Sequence, residues 1–340
     1  MQHVLVTGAG GYIGSILVQQ LLDAGYRVSA LDRFFFGDSV FEHLPNKENL
    51  NLIRLDIRDL KPKMLEGVDA VCDLAALSND PSGDLDPSLT EAINYAGRVH
   101  VAKCAKEAGV KRYILSSSCS VYGTGGSQAL EETSPTAPIS VYAKASLRAE
   151  QETAKLGDSH FSWTALRNAT VFGLSPRMRF DLAVNIMTLH AVTKNKIIVL
   201  GGGRQWRPLI HVGDVARGFI KVLKSSPDIV NGQVFNQGRD NYQMLGLAYT
   251  VRECMPFPVE IEIAPDDADK RNYNVSFVKM KKVLDFTPSV TIEEGVREIY
   301  QGLKRGATEP GPKTSTVGWY RAILEADRLV SNVRLNGRLI

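Results

Sequence analysis

Apolar and polar positions along the chain switch between two rhythms, and the switching predicts the elements. His3 to Val6 form a β-rich run that leads into a glycine-rich turn, and residues 12–24 then carry apolar positions at helical spacing. Residues 27–31, 51–55 and 70–74 read as further strands, 89–108 as a helix and 112–116 as another strand. After these, 141–156 is predicted to be helical and 161–166 to be a strand near one end of the sheet. Strands alternating with helices predict an α/β architecture with a doubly wound parallel sheet. Beyond Gly173 the rhythm loosens. Residues 174–208 and 239–304 mix helices with short strands, which predicts a smaller α/β lobe interleaved with the first, while Val234-Phe235-Asn236 reads as a strand returning to the main sheet. A stretch rich in Gly, Pro and Thr, 306–316, reads as a linker. It leads to 319–335, where Trp319, Ile323, Leu324, Val330 and Val333 can form one apolar stripe that docks on its own domain or, alternatively, meets a partner.

The turn between the first strand and the first helix, Gly8-x-x-Gly11-x-x-Gly14, is a socket for the pyrophosphate of a dinucleotide. Glycine lets backbone N–H groups approach phosphate oxygens where a Cβ would collide, and the following helix points its positive end at the anion. A lone glycine triplet is often only a tight turn. Here the strand before it, the helix after it and an acidic residue near the expected distance, Asp32, complete the context. Gly8, Gly11, Tyr12, Ile13 and Gly14 are therefore expected against the cofactor. Asp32 closes the second strand, where a carboxylate accepts hydrogen bonds from both adenosine-ribose hydroxyls and repels a 2′-phosphate. Arg33 follows and could clamp that phosphate instead. NAD is expected over NADP. The chain then divides into a Rossmann-type dinucleotide-binding domain, 1–173 with about 209–238, a substrate-binding lobe, 174–208 with 239–304, and a linker with a C-terminal helix, 305–340.

A chain of 340 residues with 44% apolar and 23% charged positions is long enough for one large domain plus a smaller lobe. The net charge of +3 is mild, and no Lys/Arg cluster is interleaved with aromatic residues, so no nucleic-acid partner is expected. Its longest apolar stretches are short strands and it opens on a core strand, so neither a membrane span nor a signal peptide is expected. Cys72, Cys104, Cys119 and Cys254 are scattered without metal-ligand spacing, so no metal site or disulfide framework is expected and the cytoplasm is the expected compartment.

The run Ser116-Ser117-Ser118-Cys119-Ser120-Val121-Tyr122-Gly123 places hydroxyls at the carboxyl edge of the sheet, where ligands of open α/β folds bind. Tyr142 opens a helix downstream. At this point the chain resembles the extended short-chain dehydrogenase/reductases, specifically the NAD-dependent epimerase/dehydratase family that acts on nucleotide sugars. The likeness spans about residues 1–304. It rests on TGAGGYIG, Asp56-Ile57, Leu74-Ala75-Ala76, Asn94 within INYAG, SSSCSVYG, Tyr142 with Glu150, LRNATVFG and Arg207 in RPLIHVGD.

The resemblance implies that Tyr142 is the acid/base that moves a proton on a sugar oxygen while hydride passes to or from nicotinamide, with Ser118 bonding the same oxygen. Asp56 and Ile57 would flank the adenine, Leu74, Ala75 and Ala76 would line the groove, and Asn94 and Ser116 would join the cofactor contacts. Arg207 and Arg271, the latter in Asp269-Lys270-Arg271-Asn272-Tyr273, resemble the two arginines that grip a diphosphate. Thr170 and Asn185 are further substrate candidates. The family usually pairs two helices from each subunit, so a homodimer through 89–108 and 141–156 is expected.

One departure concerns the chemistry directly. The family writes Tyr-x-x-x-Lys, whereas this chain has Ser146 at the lysine position. Lys144 sits two residues after Tyr142, about 200° around the helix, and cannot simply substitute. Without the lysine, Tyr142 is expected nearer its reference pKa of about 10. Ser146 can still hydrogen-bond the ribose. Cys119 and Ser120 stand where dehydratase members carry an Asp-Glu pair, so dehydration is not expected, and Cys119 reads as a small buried residue. His211 reads as a core histidine, and His100 and His190 as ordinary helix residues. The expected function is an NAD-dependent nucleotide-sugar epimerase or 4-ketoreductase. A dinucleotide-binding protein weakened in catalysis, serving regulation or scaffolding, is the alternative that Ser146 supports.

Overall fold

The computed structural model describes residues 2–45, 47–265 and 271–338. Its strands are β1 His3–Thr7, β2 Arg27–Asp32, β3 Leu50–Arg54, β4 Ala70–Asp73, β5 Arg112–Ser118, β6 Thr124–Leu130, β7 Ser162–Asn168, β8 Thr170–Phe172, β9 Lys196–Val199, β10 Trp206–His211, β11 Gln233–Gln237, β12 Asp240–Gln243, β13 Glu260–Ile263 and β14 Asn272–Val275. The helices are α1 Tyr12–Asp23, α2 Asp80–Gly83, α3 Pro87–Thr90, α4 Arg98–Glu107, α5 Val141–Ala154, α6 Ala183–Lys194, α7 Val212–Lys224, α8 Pro227–Val230, α9 Met244–Glu253, α10 Val278–Leu284, α11 Ile292–Lys304 and α12 Thr316–Val333.

β1 is continuously apolar because both of its faces are covered, as parallel sheets require. Val4 and Val6 pack with Leu17 and Leu21 of α1 and Phe219 of α7, whereas Leu5 packs with Val101 and Ala105 of α4. Seven parallel strands follow the order β11-β7-β5-β4-β1-β2-β3. The predicted strand at 161–166 thus lies one place from the edge, and the returning strand at 234–236 takes the edge itself. After β3 the chain crosses back to place β4 on the other side of β1, and a crevice opens at that reversal beyond the strand ends.

A separate apolar cluster holds α6, α9 and α11, built from Val184, Met187, Leu247, Val251, Ile292 and Val296. Beside it β10 joins β8 in parallel and β12 antiparallel, while β13 pairs with β9 and β14 with β6. α5 starts where predicted, capped by Ser140, whose hydroxyl accepts from the Ala143 N–H at 3.1 Å.

Two elements differ from the sequence pattern. Residues 89–108 are not one regular helix: after α3, Glu91–Gly97 is a π-helical turn before α4. Inside that turn Asn94 accepts from the Leu77 N–H at 2.8 Å and donates to the Leu77 carbonyl at 3.0 Å, an anchoring of side chain to loop that accompanies the wider turn. The C-terminal apolar stripe also covers less than its length. Trp319 donates to the Phe35 carbonyl at 2.8 Å and Ile323, Leu324 and Val330 are half-buried, yet Val333 is 56% exposed. α12 therefore docks on its own chain chiefly through its first turns. No helix among the described residues is long and apolar enough to cross a membrane.

Candidate active site

The crevice at the strand ends is a cavity of about 570 Å³, walled by the β1–α1 turn, the ends of β2, β4 and β5, the start of α5 and residues of the smaller lobe. Its floor fits a dinucleotide phosphate. Gly8 adopts φ +65°, and a Cβ on Gly14 would lie 2.2 Å from the Gly8 carbonyl oxygen, so only glycine lets the turn fold so tightly. The first turn of α1 leaves N–H groups without intrahelical partners at that surface. Gly8, Gly11, Tyr12, Ile13 and Gly14 all line the cavity, as do Asp32, Arg33, Asp56, Ile57, Leu74, Ala75, Ala76, Ser116, Ser118, Tyr142, Thr170, Arg207 and Arg271.

Asp32 is held by the turn it faces, accepting from the Gly10 N–H at 3.0 Å and the Phe34 N–H at 2.7 Å. Burial pushes its carboxyl above the usual range against those hydrogen bonds. Arg33 leans away, pairing with Asp56 at 3.1 Å and stacking 4.5 Å from the Phe35 ring centre. Asp56 also takes Arg58 at 2.7 Å, chiefly why its carboxyl falls to about 2. Thr7 accepts from the Leu74 and Ala75 N–H groups at 3.1 Å each and so sets the 74–76 wall.

At the inner end Ser118 closes β5 beside Tyr142 on the first turn of α5, both lining the cavity. Burial first, then the Asp80 carboxylate, pushes the Tyr142 phenol up, opposed by Ser118, Arg98 and Arg179. Asp80 is itself taken by Ser140 and by Arg271. Arg207 donates to the Trp206 carbonyl at 2.8 Å and to the Arg271 carbonyl, which sets both arginines at one end of the cleft. Asp269 and Lys270, quoted with Arg271 in the sequence pattern, lie outside the described residues.

Three expected site residues do not reach the cleft. Ser146 turns to its own helix, donating to the Tyr142 carbonyl at 2.9 Å, because a buried helical serine satisfies its hydroxyl locally. Asn94 is spent on Leu77, as described. Asn185 is fully buried between Gly173, Tyr12 and Arg179, accepting from the Gly173 N–H at 3.1 Å and donating to the Tyr12 hydroxyl at 3.1 Å. Each braces a wall of the cleft from behind. Lys144 is exposed. Cys119 is buried and its thiol, donating to the Arg167 carbonyl at 3.1 Å, is raised by burial. His211 bonds Glu298 at 2.9 Å and caps α7 through the Gly213 N–H, a structural use.

Other cleft residues had no reading from the sequence. Phe35, Phe36, Arg98, Arg177, Arg179 and Tyr320 all line it. Tyr320 of α12 packs on Phe35 and Phe36 with ring centres 6.0 and 5.5 Å apart, and Arg177 stacks 3.6 Å from the Phe36 ring centre while donating to Thr316 at 2.9 Å. The available signal was three successive phenylalanines directly after Asp32-Arg33, apolar bulk that a surface loop does not need.

A family model described as the NAD dependent epimerase/dehydratase family matches residues 4–238. UDP-glucuronic acid decarboxylase 1 of Arabidopsis thaliana is 30% identical over 307 residues, covering 86% of this chain and 68% of that protein. Its counterpart in Danio rerio is 26% identical over 314 residues, covering 89% and 73%. The solved structure of MoeE5 in complex with UDP-glucose and NAD matches with a TM-score of 0.79 at 27% identity, covering 90% of this chain and 100% of that one. A UDP-glucuronic acid 4-epimerase from Bacillus cereus shares the fold, with a TM-score of 0.80 at 24% identity over 89% and 99% of the two chains.

Proposed function

The chain belongs to the NAD dependent epimerase/dehydratase family, among the NAD-dependent enzymes of the extended short-chain dehydrogenase/reductase type, and from that footing we propose that it oxidises a hydroxyl of a uridine-diphosphate sugar and returns the hydride within one cycle, as an epimerase does. NAD, when bound, supplies the hydride acceptor. The β1–α1 turn with Gly8, Gly11, Tyr12, Ile13 and Gly14 would hold its pyrophosphate, Asp32 its adenosine ribose, and Asp56, Ile57, Leu74, Ala75, Ala76 and Ser116 the rest of the groove. Tyr142 takes the hydroxyl proton as the C–H bond is broken and gives it back on the return, while Ser118 fixes the oxygen between them. The observation that carries this reading is the Ser118–Tyr142 pair opening on the same cavity as the glycine turn and as Arg207 and Arg271. Domains follow the division drawn from the sequence, and a homodimer through α4, α5 and the π-helical turn is part of the proposal.

A second reading rests on the decarboxylase relatives. If the sugar is a uronic acid, a ketone formed β to its carboxylate would accept the electron pair as carbon dioxide leaves, the resulting enolate would take a proton at the carbon that bore the carboxylate, and return of the hydride to the ketone would give the pentose. Dehydration finds no support, since Cys119 is sealed from the cleft and Ser120 is no carboxylic acid. Incubation with UDP-glucose and with UDP-glucuronic acid, without added NAD and followed by proton NMR, separates these outcomes. An epimer supports the first reading and a pentose the second. Reduction of a keto sugar only with added NADH indicates the reductase, and retained NAD with no turnover indicates the regulatory alternative.

Arg207→Ala and Arg271→Ala are each expected to weaken UDP by about tenfold or more, since charge-assisted hydrogen bonds contribute about 1.5–3 kcal/mol. Calorimetry checks this, with NAD affinity as the unchanged control; unaltered UDP affinity in both would remove the clamp. At the other end, Tyr320→Ala opens the wall that α12 adds over Phe35 and Phe36. The protein is then expected to lose NAD during gel filtration several-fold more readily, measured as cofactor content after purification.

A further inference from the structure

Ser146 leaves Tyr142 without a cation on the inner face of its own helix, where Lys144 and Arg148 are exposed to solvent, and a phenol that must give up a proton in a cleft needs one close by. Asp80 from α2 disfavours the Tyr142 phenolate, whereas Arg98 from α4 and Arg179 from the segment before α6 favour it, and all three line the cavity with Tyr142. Asp80 is negative and already paired with Arg271. Arg179 is committed at every nitrogen, to both carboxylate oxygens of Asp181 at 3.0 and 3.1 Å and to Ser78 at 3.2 Å. Arg98 is different. It is 2% exposed yet lines the cleft, and its Nη2 donates to the Ser116 carbonyl at 2.6 Å and the Asp73 carbonyl at 2.9 Å. Those bonds pin the guanidinium at the end of β5, two residues before Ser118, which lines the same cavity as Tyr142. Its Nε is 3.4 Å from the Asp73 carboxylate, which Thr7 and Tyr113 already hold at 2.5 Å each. Nη1 makes no hydrogen bond among the described residues.

We propose that Arg98, reaching the cleft from the neighbouring helix, supplies the positive charge beside Tyr142 that α5 does not present to the cleft, with Nη1 free to take a hydroxyl of the nicotinamide ribose. It is a positioning residue toward Tyr142. In sequence terms the cation has moved from α5 to α4, one helix over but onto the same wall. The inference rests on Tyr142 as proton carrier.

The test uses the full chain. Ionisation of Tyr142 is followed without cofactor by alkaline tyrosinate absorbance, taking Tyr142→Phe as the blank. Arg98→Gln keeps a donor for Ser116 and leaves Asp73 its bonds from Thr7 and Tyr113. Its Tyr142 midpoint is expected to rise by about one pH unit, and NAD affinity to fall about tenfold. Adding Ser146→Lys to that variant should reverse both. A folded Arg98→Gln protein with an unmoved midpoint and unchanged NAD affinity overturns the proposal. If Arg98→Gln does not fold, Ser146→Lys alone decides: no gain is expected, because the role is filled and a second cation is repelled, whereas a midpoint about one unit lower with tighter NAD shows the role was vacant. Loss of NAD binding by the unaltered chain, or turnover surviving Tyr142→Phe, instead overturns the functional reading beneath it.

Discussion

Tyr142→Phe is expected to lower turnover by about 10²–10⁴-fold while the protein still folds and still binds NAD and UDP, because on the proposed role the change removes only the oxygen that carries the proton. Phe fills the same space on the cavity wall. The pH dependence of the unaltered enzyme tests the same role from another side. Burial and the Asp80 carboxylate raise the Tyr142 pKa, so at neutral pH the group is the neutral phenol. Sugar oxidation needs the form that can accept a proton, the phenolate. The oxidation rate is therefore expected to climb with pH until the raised pKa is passed, whereas the return of the proton draws on the phenol already present and stays level until then. Ser118, Arg98 and Arg179 pull the other way and set where the climb ends. A pre-steady-state rate of NAD reduction that is flat from neutral to alkaline pH would show that some other group carries the proton.

Much of the fold is legible in the sequence because both of its periodicities are strong. The main sheet's inner strands have two covered faces and read as short, mostly apolar runs, whereas β3 at the edge is largely exposed, and the connecting helices show one apolar face. The dinucleotide turn is legible for a sharper reason: at Gly14 a single added carbon would strike the Gly8 carbonyl, so the residue type reports the backbone. Side-chain direction is less legible. Asn94 and Asn185 belong to motif positions near the cleft, but each has a backbone group closer at hand, and a buried amide takes the nearest partners. Ser146 follows the same rule. The residues without a sequence reading, Phe35, Phe36, Arg177 and Tyr320, meet only because the chain after 304 folds back over the cleft, and no local pattern encodes a contact between 36 and 320. The family match ends at residue 238, so the motif gave no guide there either.

Glu150→Gln is expected to cost about 3–5 kcal/mol of stability, because it strips the charge partner from a buried arginine. Glu150 lies on the inner face of α5, two turns beyond Tyr142, and receives Arg167 of β7 at 2.5 and 3.1 Å and the Ser117 hydroxyl at 2.9 Å. Both partners of the ion pair are 6% exposed, so water cannot take over the guanidinium's lost charge compensation. Surface salt bridges give no such effect: Lys155 with Glu152 on the same helix stands in solvent, and its loss should fall within about 0.5 kcal/mol. Removing both charges distinguishes pairing from packing. With Arg167→Met alongside Glu150→Gln the uncompensated cation is gone, so the double variant is expected to be markedly more stable than the sum of the two single losses predicts. Urea denaturation of the four proteins, compared at a common slope, reads the coupling. Additive losses would mean that Glu150 and Arg167 act only as filling, and that the anchoring of the Tyr142 helix to the sheet comes from the apolar contacts around them.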